Sequence, residues 1–179
     1  MKPTHVFSMG YAVSVKQIVM KTAIIIIIAT LITLPALASE GDAYHPDAFK
    51  DADSPWVDGQ ELRIANGIDA PELTQPCTKD GKAWFAGQVA SIAVGEMVAG
   101  QDVVCTDTGG RSYKRPLVTC TVNGEDLAAM IVRAGWAFEY PKYSGGQHTA
   151  TEAAARAAKR GIWAGVCEKP WVWRHKSRK

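Results

Sequence analysis

The chain has 179 residues and a formal net charge of +2, a length that fits one domain with appendages, since domains typically contain roughly 100–200 residues. Three of its 20 basic residues and none of its 18 acidic residues lie within residues 1–38, so the remainder carries 17 basic and 18 acidic side chains, a formal net charge of −1. Because residues 39–179 are nearly neutral, the positive net charge of the whole chain does not indicate affinity for nucleic acid.

The N-terminal segment has the pattern of a secretory signal peptide. Lys16 and Lys21 precede an apolar run over residues 23–34, and an Ala-Leu-Ala ending follows. This pattern predicts cleavage after Ala38, with Met20 as an alternative start. An uncleaved membrane anchor is the competing interpretation, but the run is shorter than the ~20 apolar residues that a spanning helix needs.

The exported part divides into a polar leader, one domain and a basic tail. Residues 39–50 are polar and contain proline, residues 51–173 carry the predicted elements, and residues 174–179 read Arg-His-Lys-Ser-Arg-Lys. We expect this tail to be solvated and frayed, with phosphate binding as the alternative.

Short strands dominate the first half of the domain. Asp58-Gly59 predicts a hairpin turn, and a strand over 62–68 leads into the loop Asp69-Ala70-Pro71-Glu72. Further strands are expected over 103–105 and 116–122, with a turn at 108–110 between them.

Three helices are predicted, over 81–99, 127–134 and 149–160, because apolar residues recur at helical spacing and a glycine follows each segment. A return to the sheet is expected over 136–138. Trp84, Trp136 and Trp163 are assigned to the core. Strands interleaved with helices favour a small β-barrel with helices packed against it.

The four cysteines all lie in the exported part, which predicts two disulfides rather than a zinc site, since no Cys-x-x-Cys occurs. Cys105 and Cys120 end two strands of a predicted hairpin and are expected to pair. Cys77 then remains for Cys167, closing a loop of about 90 residues that ties the C-terminal segment to the acidic loop. The alternative is that one pair stays reduced and buried.

Five ordered blocks resemble the staphylococcal (micrococcal) nuclease-like family over about residues 51–173. The blocks are Asp53-Ser54 with Asp58-Gly59-Gln60 and Leu62-Arg63; Gly67-Ile68-Asp69-Ala70-Pro71-Glu72; Tyr113-Lys114-Arg115-Pro116-Leu117; Asn123-Gly124 with Leu127 and Val132-Arg133-Ala134-Gly135-Trp136-Ala137; and Glu152 with Ala155-Arg156, Lys159 and Gly161-Ile162-Trp163. The resemblance implies an α+β fold, a five-stranded OB-fold barrel with three flanking helices. It also implies a monomeric, secreted, calcium-dependent nuclease that cleaves DNA and RNA without a stable protein partner.

The resemblance also implies roles for individual residues. Asp53, Asp69 and the carbonyl of Ala70 correspond to calcium ligands, and Glu72 corresponds to the general base. The remaining assignments are Arg63 and Arg115 for the phosphate and Tyr113 and Tyr143 for the nucleotide pocket.

These residue types suit the chemistry. Calcium prefers oxygen ligands, guanidinium groups bind phosphate oxygens in pairs, and aromatic rings stack on bases without reading sequence. Taken singly, each residue also has a structural interpretation: Asp69 could cap a turn, Glu72 could be a surface residue, Arg115 could pair with an acid, and the tyrosines could be packing residues.

Four departures from the family pattern affect the site. Ser54 stands where a threonine is usual, and Lys114 and Arg111 replace a usual glycine and aspartate. Arg63 lies six residues before Asp69, where five are usual, and a shift of one turns a strand side chain to the other face. A one-residue bulge near Gly67 is expected to restore its direction. An inactive OB-fold module that binds nucleic acid is the alternative function.

Overall fold

The computed structural model describes residues 43–178, so the predicted signal peptide and residues 39–42 of the leader lie outside the described residues. The described part combines strands and helices in an α+β arrangement. None of its helices combines the length and the hydropathy that a membrane crossing requires.

The strands are short except for one long hairpin. In chain order they are β1 (Ala43–Tyr44), β2 (Ala48–Asp51), β3 (Ser54–Val57), β4 (Gln60–Glu61), β5 (Arg63–Ile64), β6 (Ile68–Asp69), β7 (Cys77–Lys79), β8 (Lys82–Trp84), β9 (Val103–Ser112), β10 (Arg115–Val122), β11 (Glu125–Asp126) and β12 (Phe138–Glu139). The predicted Asp58-Gly59 turn joins β3 to β4, and both of its residues have positive φ.

The strands form four sheets rather than a closed barrel within residues 43–178. The largest has the order β1-β9-β10-β11, with β5 pairing in parallel with β10. Strands β2, β3 and β4 form a second sheet, and β6–β12 and β7–β8 form two-stranded sheets. The expectation of a closed five-stranded barrel is therefore not met, because strands of two or three residues leave the sheets separate.

The structure has five α-helices in its described part, where three were predicted. They are α1 (Ala86–Val98), α2 (Leu127–Ala134), α3 (Pro141–Ser144), α4 (Thr149–Ala157) and α5 (Pro170–Ser177), and a 3₁₀ helix spans Gly161–Ala164. Helix α2 has the predicted bounds, since Asp126 caps its first turn and Gly135 ends it with φ 80°. Helix α1 begins later than predicted because residues 82–84 form β8 instead.

The main core lies between helices α1 and α2 and the two larger sheets, with α1 packed mainly against β2. It is made of small and branched side chains without solvent exposure, among them Leu62, Val94, Val118, Leu127 and Ile131. A second cluster gathers around Phe138 and Ile162, and the three tryptophans assigned to the core pack, partly buried, against these two clusters.

The long hairpin turns later than the sequence predicted. Strand β9 continues through Gly109 and Gly110 to Ser112, so the turn is not at 108–110. It consists of Tyr113 and Lys114 instead, and Tyr113 has φ 56°, as the first residue of a tight two-residue turn can require. This geometry carries Tyr113 to the tip of the hairpin.

Both disulfides have the partners that the sequence analysis expected. Cys105 and Cys120 lie directly opposite each other in β9 and β10. Cys77 pairs with Cys167, 90 residues away. No cysteine of the described part is free.

The expectation of a frayed tail over 174–179 is wrong as far as Ser177, because these residues are helical, whereas residues 175–178 are exposed as expected. Pro170 occupies the first turn of α5, where a proline fits because its missing N–H would have no helical partner. The helix continues to Ser177, and Arg174 lies on the side that faces the rest of the domain. The chain is therefore ordered where we expected fraying.

Glu139 anchors the connection between α3 and α4. This carboxylate is 6% exposed and accepts hydrogen bonds from Ser144 Oγ at 2.7 Å, Thr149 Oγ1 at 2.6 Å and the His148 backbone N–H at 2.9 Å. Burial raises the pKa of Glu139, but these hydrogen bonds outweigh it, so the pKa lies below its ordinary value of 4.5.

Glu139→Gln is therefore expected to lower the free energy of unfolding at pH 7 by about 1–3 kcal/mol, because an amide cannot accept all of these bonds. A depressed pKa gives stability that is fully present above the ordinary value of 4.5 and is lost as the pH falls through the folded-state pKa. The difference from wild type should thus shrink below pH 4.5 in urea unfolding. The exposed glutamate variant Glu96→Gln is the control, and a pH-independent difference would contradict the assignment.

Candidate active site

The acidic loop is held close to α1 by a glycine. A Cβ atom at Gly87 would overlap the carbonyl oxygens of Pro71 and Glu72, so only glycine lets the helix approach the loop this closely. The loop itself follows β6, which pairs with β12 through Asp69 and Phe138. The backbone that carries the predicted metal and base residues is thereby fixed on two sides.

Arg63 joins the two predicted metal carboxylates. Its Nη1 donates to Asp53 Oδ1 at 2.7 Å and its Nη2 donates to Asp69 Oδ1 at 2.6 Å. Both aspartate side chains are without solvent exposure, and the Ala70 N–H also donates to Asp53 Oδ2 at 2.8 Å. The structure thus brings together four of the residues that the sequence placed in one site.

Arg63 reaches these carboxylates despite the extra residue before Asp69, and a tight turn rather than a β-bulge lies between them. The Gly67 N–H donates to the Ala65 carbonyl at 2.7 Å, and Gly67 has φ 66°. This three-residue turn separates β5 from β6, where a one-residue bulge was expected. A side chain on Gly67 would also collide with the backbone of Ser144.

Burial and neighbouring charges shift the pKa values of this cluster in opposite directions. Burial raises the pKa of Asp53 well above its ordinary value, and the positive charge of Arg63 opposes the rise. Burial lowers the pKa of Arg63, but the charges of Asp53 and Asp69 outweigh it and raise the pKa. Arg63 is therefore a fixed cation among buried acids.

Arg174 of α5 holds the other side of the acidic loop. Its Nη2 donates to Asp69 Oδ2 at 2.7 Å, and its Nη1 donates to Asp69 Oδ1 at 3.0 Å and to Glu72 Oε1 at 2.8 Å. Burial lowers the pKa of Arg174, but its bonds with Asp69 and Glu72 outweigh it, so the net shift is upward. The predicted base is thus paired with an arginine that the sequence analysis assigned to a frayed tail.

Arg115 does not contact the buried carboxylates Asp53 and Asp69 directly. Its Nη1 donates to Glu61 Oε1 at 2.9 Å and to Ser54 Oγ at 3.3 Å. Ser54 neighbours Asp53, so these bonds keep the guanidinium beside the acidic cluster. Its side chain is 27% exposed and remains accessible to a ligand.

Aromatic side chains gather on the same face. Tyr140 stacks on Trp171 with ring centroids 4.3 Å apart and meets Tyr143 edge-on at 4.9 Å. Tyr113 is 84% exposed and Tyr143 is 64% exposed. A hydrogen bond with Arg178, the residue that follows α5, lowers the pKa of Tyr113.

An open groove of about 570 Å³ runs past these groups. Its lining includes Arg63, Glu72, Tyr113, Arg115, Tyr143 and Arg174. Asp53 and Asp69 lie behind Arg63 and Arg174, out of contact with solvent. Positive charge and aromatic surface thus face the groove, and the buried acids hold the arginines in place.

Calcium fits the chemistry of these donors. Asp53 and Asp69 offer hard carboxylate oxygens. Within the described residues, Asp51 Oδ1 is buried with no hydrogen-bond partner, so one carboxylate oxygen of this acidic cluster has no donor or cation to stabilise it. Between residues 43 and 178 no three His, Cys, Asp or Glu side chains are arranged around one metal position. Carbonyl and water oxygens would therefore have to complete the shell of about 6–8 ligands.

Sequence reasoning missed four members of the site. Glu61 holds Arg115, and Tyr140, Trp171 and Arg174 line the groove. One signal was present for the last two, because the Cys77–Cys167 pairing predicts that the segment after Cys167 lies against the acidic loop. Pro170 was also a helix start signal that the tail interpretation overlooked.

A family model described as staphylococcal nuclease homologue matches residues 62–165, which is more than half of the chain. A search of the curated proteins found no match. The matched range begins one residue before Arg63 and includes Asp69, Glu72 and Arg115, while α5 lies beyond it. The chain belongs to the staphylococcal nuclease homologue family.

Proposed function

We propose that this protein is a calcium-dependent nuclease that hydrolyses phosphodiester bonds of DNA and RNA with little sequence preference. One observation carries the proposal: Arg63, Glu72 and Arg115 line one groove, directly in front of the buried pair Asp53 and Asp69. A module that only binds nucleic acid has no need of carboxylates beside a phosphate, because they repel it.

Arg63 and Arg115 hold the phosphate in this proposal. A phosphodiester gains negative charge in the transition state, and a guanidinium fork stabilises that charge through paired hydrogen bonds. Both side chains are already oriented, Arg63 by two aspartates and Arg115 by Glu61 and Ser54. Little reorganisation is then needed when substrate binds.

Glu72 takes the proton of the attacking water. It is the acidic side chain of the loop that reaches the groove, with its side chain 30% exposed. A positioned general base contributes roughly 10²–10⁴-fold to a rate. Asp53, Asp69 and the Ala70 carbonyl would hold calcium, which supplies Lewis-acid stabilisation of the phosphoryl oxygen when bound.

The aromatic side chains receive the bases. Tyr113 and Tyr143 flank the groove, and Tyr140 extends this surface to Trp171. Stacking on a ring does not depend on base identity, which accounts for cleavage with little sequence preference.

The proposal also includes an OB-fold and export of the protein through a signal peptide. An OB-fold, which family membership implies, is supported by the five-stranded sheet around β10 and by the neighbouring sheet of β2, β3 and β4. Export through cleavage after Ala38 is supported by the two disulfides, which persist in oxidising compartments. We expect the protein to act as a monomer on its nucleic-acid substrate.

Digestion of a plasmid and of a single-stranded RNA separates this proposal from the inactive binding module. The purified protein is expected to fragment both substrates in calcium and neither in EDTA. A gel shift of intact nucleic acid, without fragmentation at any calcium concentration, would establish the binding module instead.

A further inference from the structure

Helix α5 is fastened to the acidic loop by covalent and hydrogen bonds. The Cys77–Cys167 disulfide lies just before it, and the Thr78 and Val166 backbones exchange hydrogen bonds of 2.9 and 2.8 Å. Gln75 is fully buried and donates to the Glu168 carbonyl at 2.6 Å. These bonds place the C-terminal segment at the acidic loop whatever the occupancy of the groove.

Arg174 uses this position to occupy oxygens that a metal and a base both require. Its guanidinium binds both oxygens of Asp69 and one oxygen of Glu72, and its side chain is 26% exposed. Arg63 also holds Asp69 Oδ1, so each oxygen of Asp69 already has a cationic partner. A divalent cation on Asp69 would therefore share these oxygens with two guanidinium groups, whose positive charges repel it.

Of these two arginines, Arg174 is the one that can leave. Arg63 belongs to β5 and is 12% exposed between two buried aspartates, so its departure would strand both charges. Arg174 projects from the last helix, its side chain is more exposed, and the groove beside it is open to solvent. Its displacement leaves Asp69 paired with Arg63 and with the incoming cation.

We propose that Arg174 is a built-in competitor of the metal: it fills the site of Asp69 and Glu72 when calcium is absent and must be displaced before calcium binds. This inference rests on the proposed calcium site. Competition of this kind lowers the apparent affinity for calcium, because only the molecules in which Arg174 has left Asp69 and Glu72 can bind the metal. It also keeps the buried acids neutralised in the metal-free protein.

Calcium titration calorimetry of the oxidised protein tests the proposal without measuring activity. Arg174→Gln is expected to bind calcium at least about tenfold more tightly than wild type, a difference of about 1.4 kcal/mol. Arg174→Lys should lie between them, because it keeps the charge and loses the two-pronged contact. Lys176→Gln removes a charge from the same helix at a residue paired with Glu168, and should match wild type.

Two outcomes would overturn the proposal, and each has a different consequence for the proposed function. Equal or weaker calcium binding by Arg174→Gln, with an unchanged circular dichroism spectrum, removes the competition and leaves the calcium site intact. Absence of calcium binding in wild type and in all three variants removes the calcium site and the competition together. If Arg174→Gln unfolds, the affinity of Arg174→Lys decides by the same criterion.

Discussion

Arg115→Ala is expected to lower kcat/KM for cleavage by about 100- to 1,000-fold, the loss typical of removing one donor that stabilises transition-state charge. The arginine is 27% exposed and its carboxylate partner Glu61 is 19% exposed, so the fold should survive. Initial rates on a fluorescent single-stranded oligonucleotide provide the measurement.

Lys114→Ala is the matched control for Arg115→Ala, because it removes one positive charge from the neighbouring exposed residue at the hairpin turn. It should change the rate little. Similar rates for Arg115→Ala and Lys114→Ala would show that Arg115 supplies only general positive charge, and would remove it from the mechanism.

Glu72→Gln is expected to reduce the cleavage rate roughly 10²–10⁴-fold, because an amide of the same size cannot accept a proton from water. Its pair with Arg174 is partly exposed, so stability should change little. The rate at saturating calcium is the measurement, and it should fall through kcat more than through KM.

Glu96→Gln, an exposed glutamate on α1, is the control for Glu72→Gln and should retain the wild-type rate. A Glu72→Gln protein that cleaves as fast as this control would assign the base to another group. The buried aspartates are poor candidates because their side chains have no solvent exposure, whereas the Glu72 side chain is 30% exposed.

The sequence was sufficient for features set by local chemistry. Asp126 and Gly135 bound α2 at the predicted residues, and Cys105 and Cys120 face each other because adjacent antiparallel strands place them in register. Gly67 indicated a change of backbone direction after Arg63, since a positive φ costs glycine little, although it forms a tight turn and not the expected bulge. The acidic cluster followed from the family resemblance, which assigned Asp53, Arg63 and Asp69 to one site.

Features that depend on distant packing could not be predicted in the same way. Basic residues near a chain end are usually solvated, and only the docking of α5 makes Arg174 a partner of Asp69 and Glu72. The hairpin turn moved to Tyr113 because strand pairing of β9 with β10 outweighed the turn preference of two glycines. The prediction of a closed barrel was wrong for a related reason, because pairing between short strands depends on the elements packed around them.

The calcium dependence of cleavage by wild type and Asp69→Asn tests the central claim most directly. Asparagine keeps the shape of this fully buried side chain and removes its charge, and Asp102→Asn, at an exposed aspartate, is the control. Wild type and Asp102→Asn should be inactive in EDTA and should reach full rate as calcium rises, whereas Asp69→Asn should stay inactive. Cleavage by wild type in EDTA, or full activity of Asp69→Asn at the same calcium concentrations, would contradict the claim that these carboxylates form a calcium-dependent nuclease site.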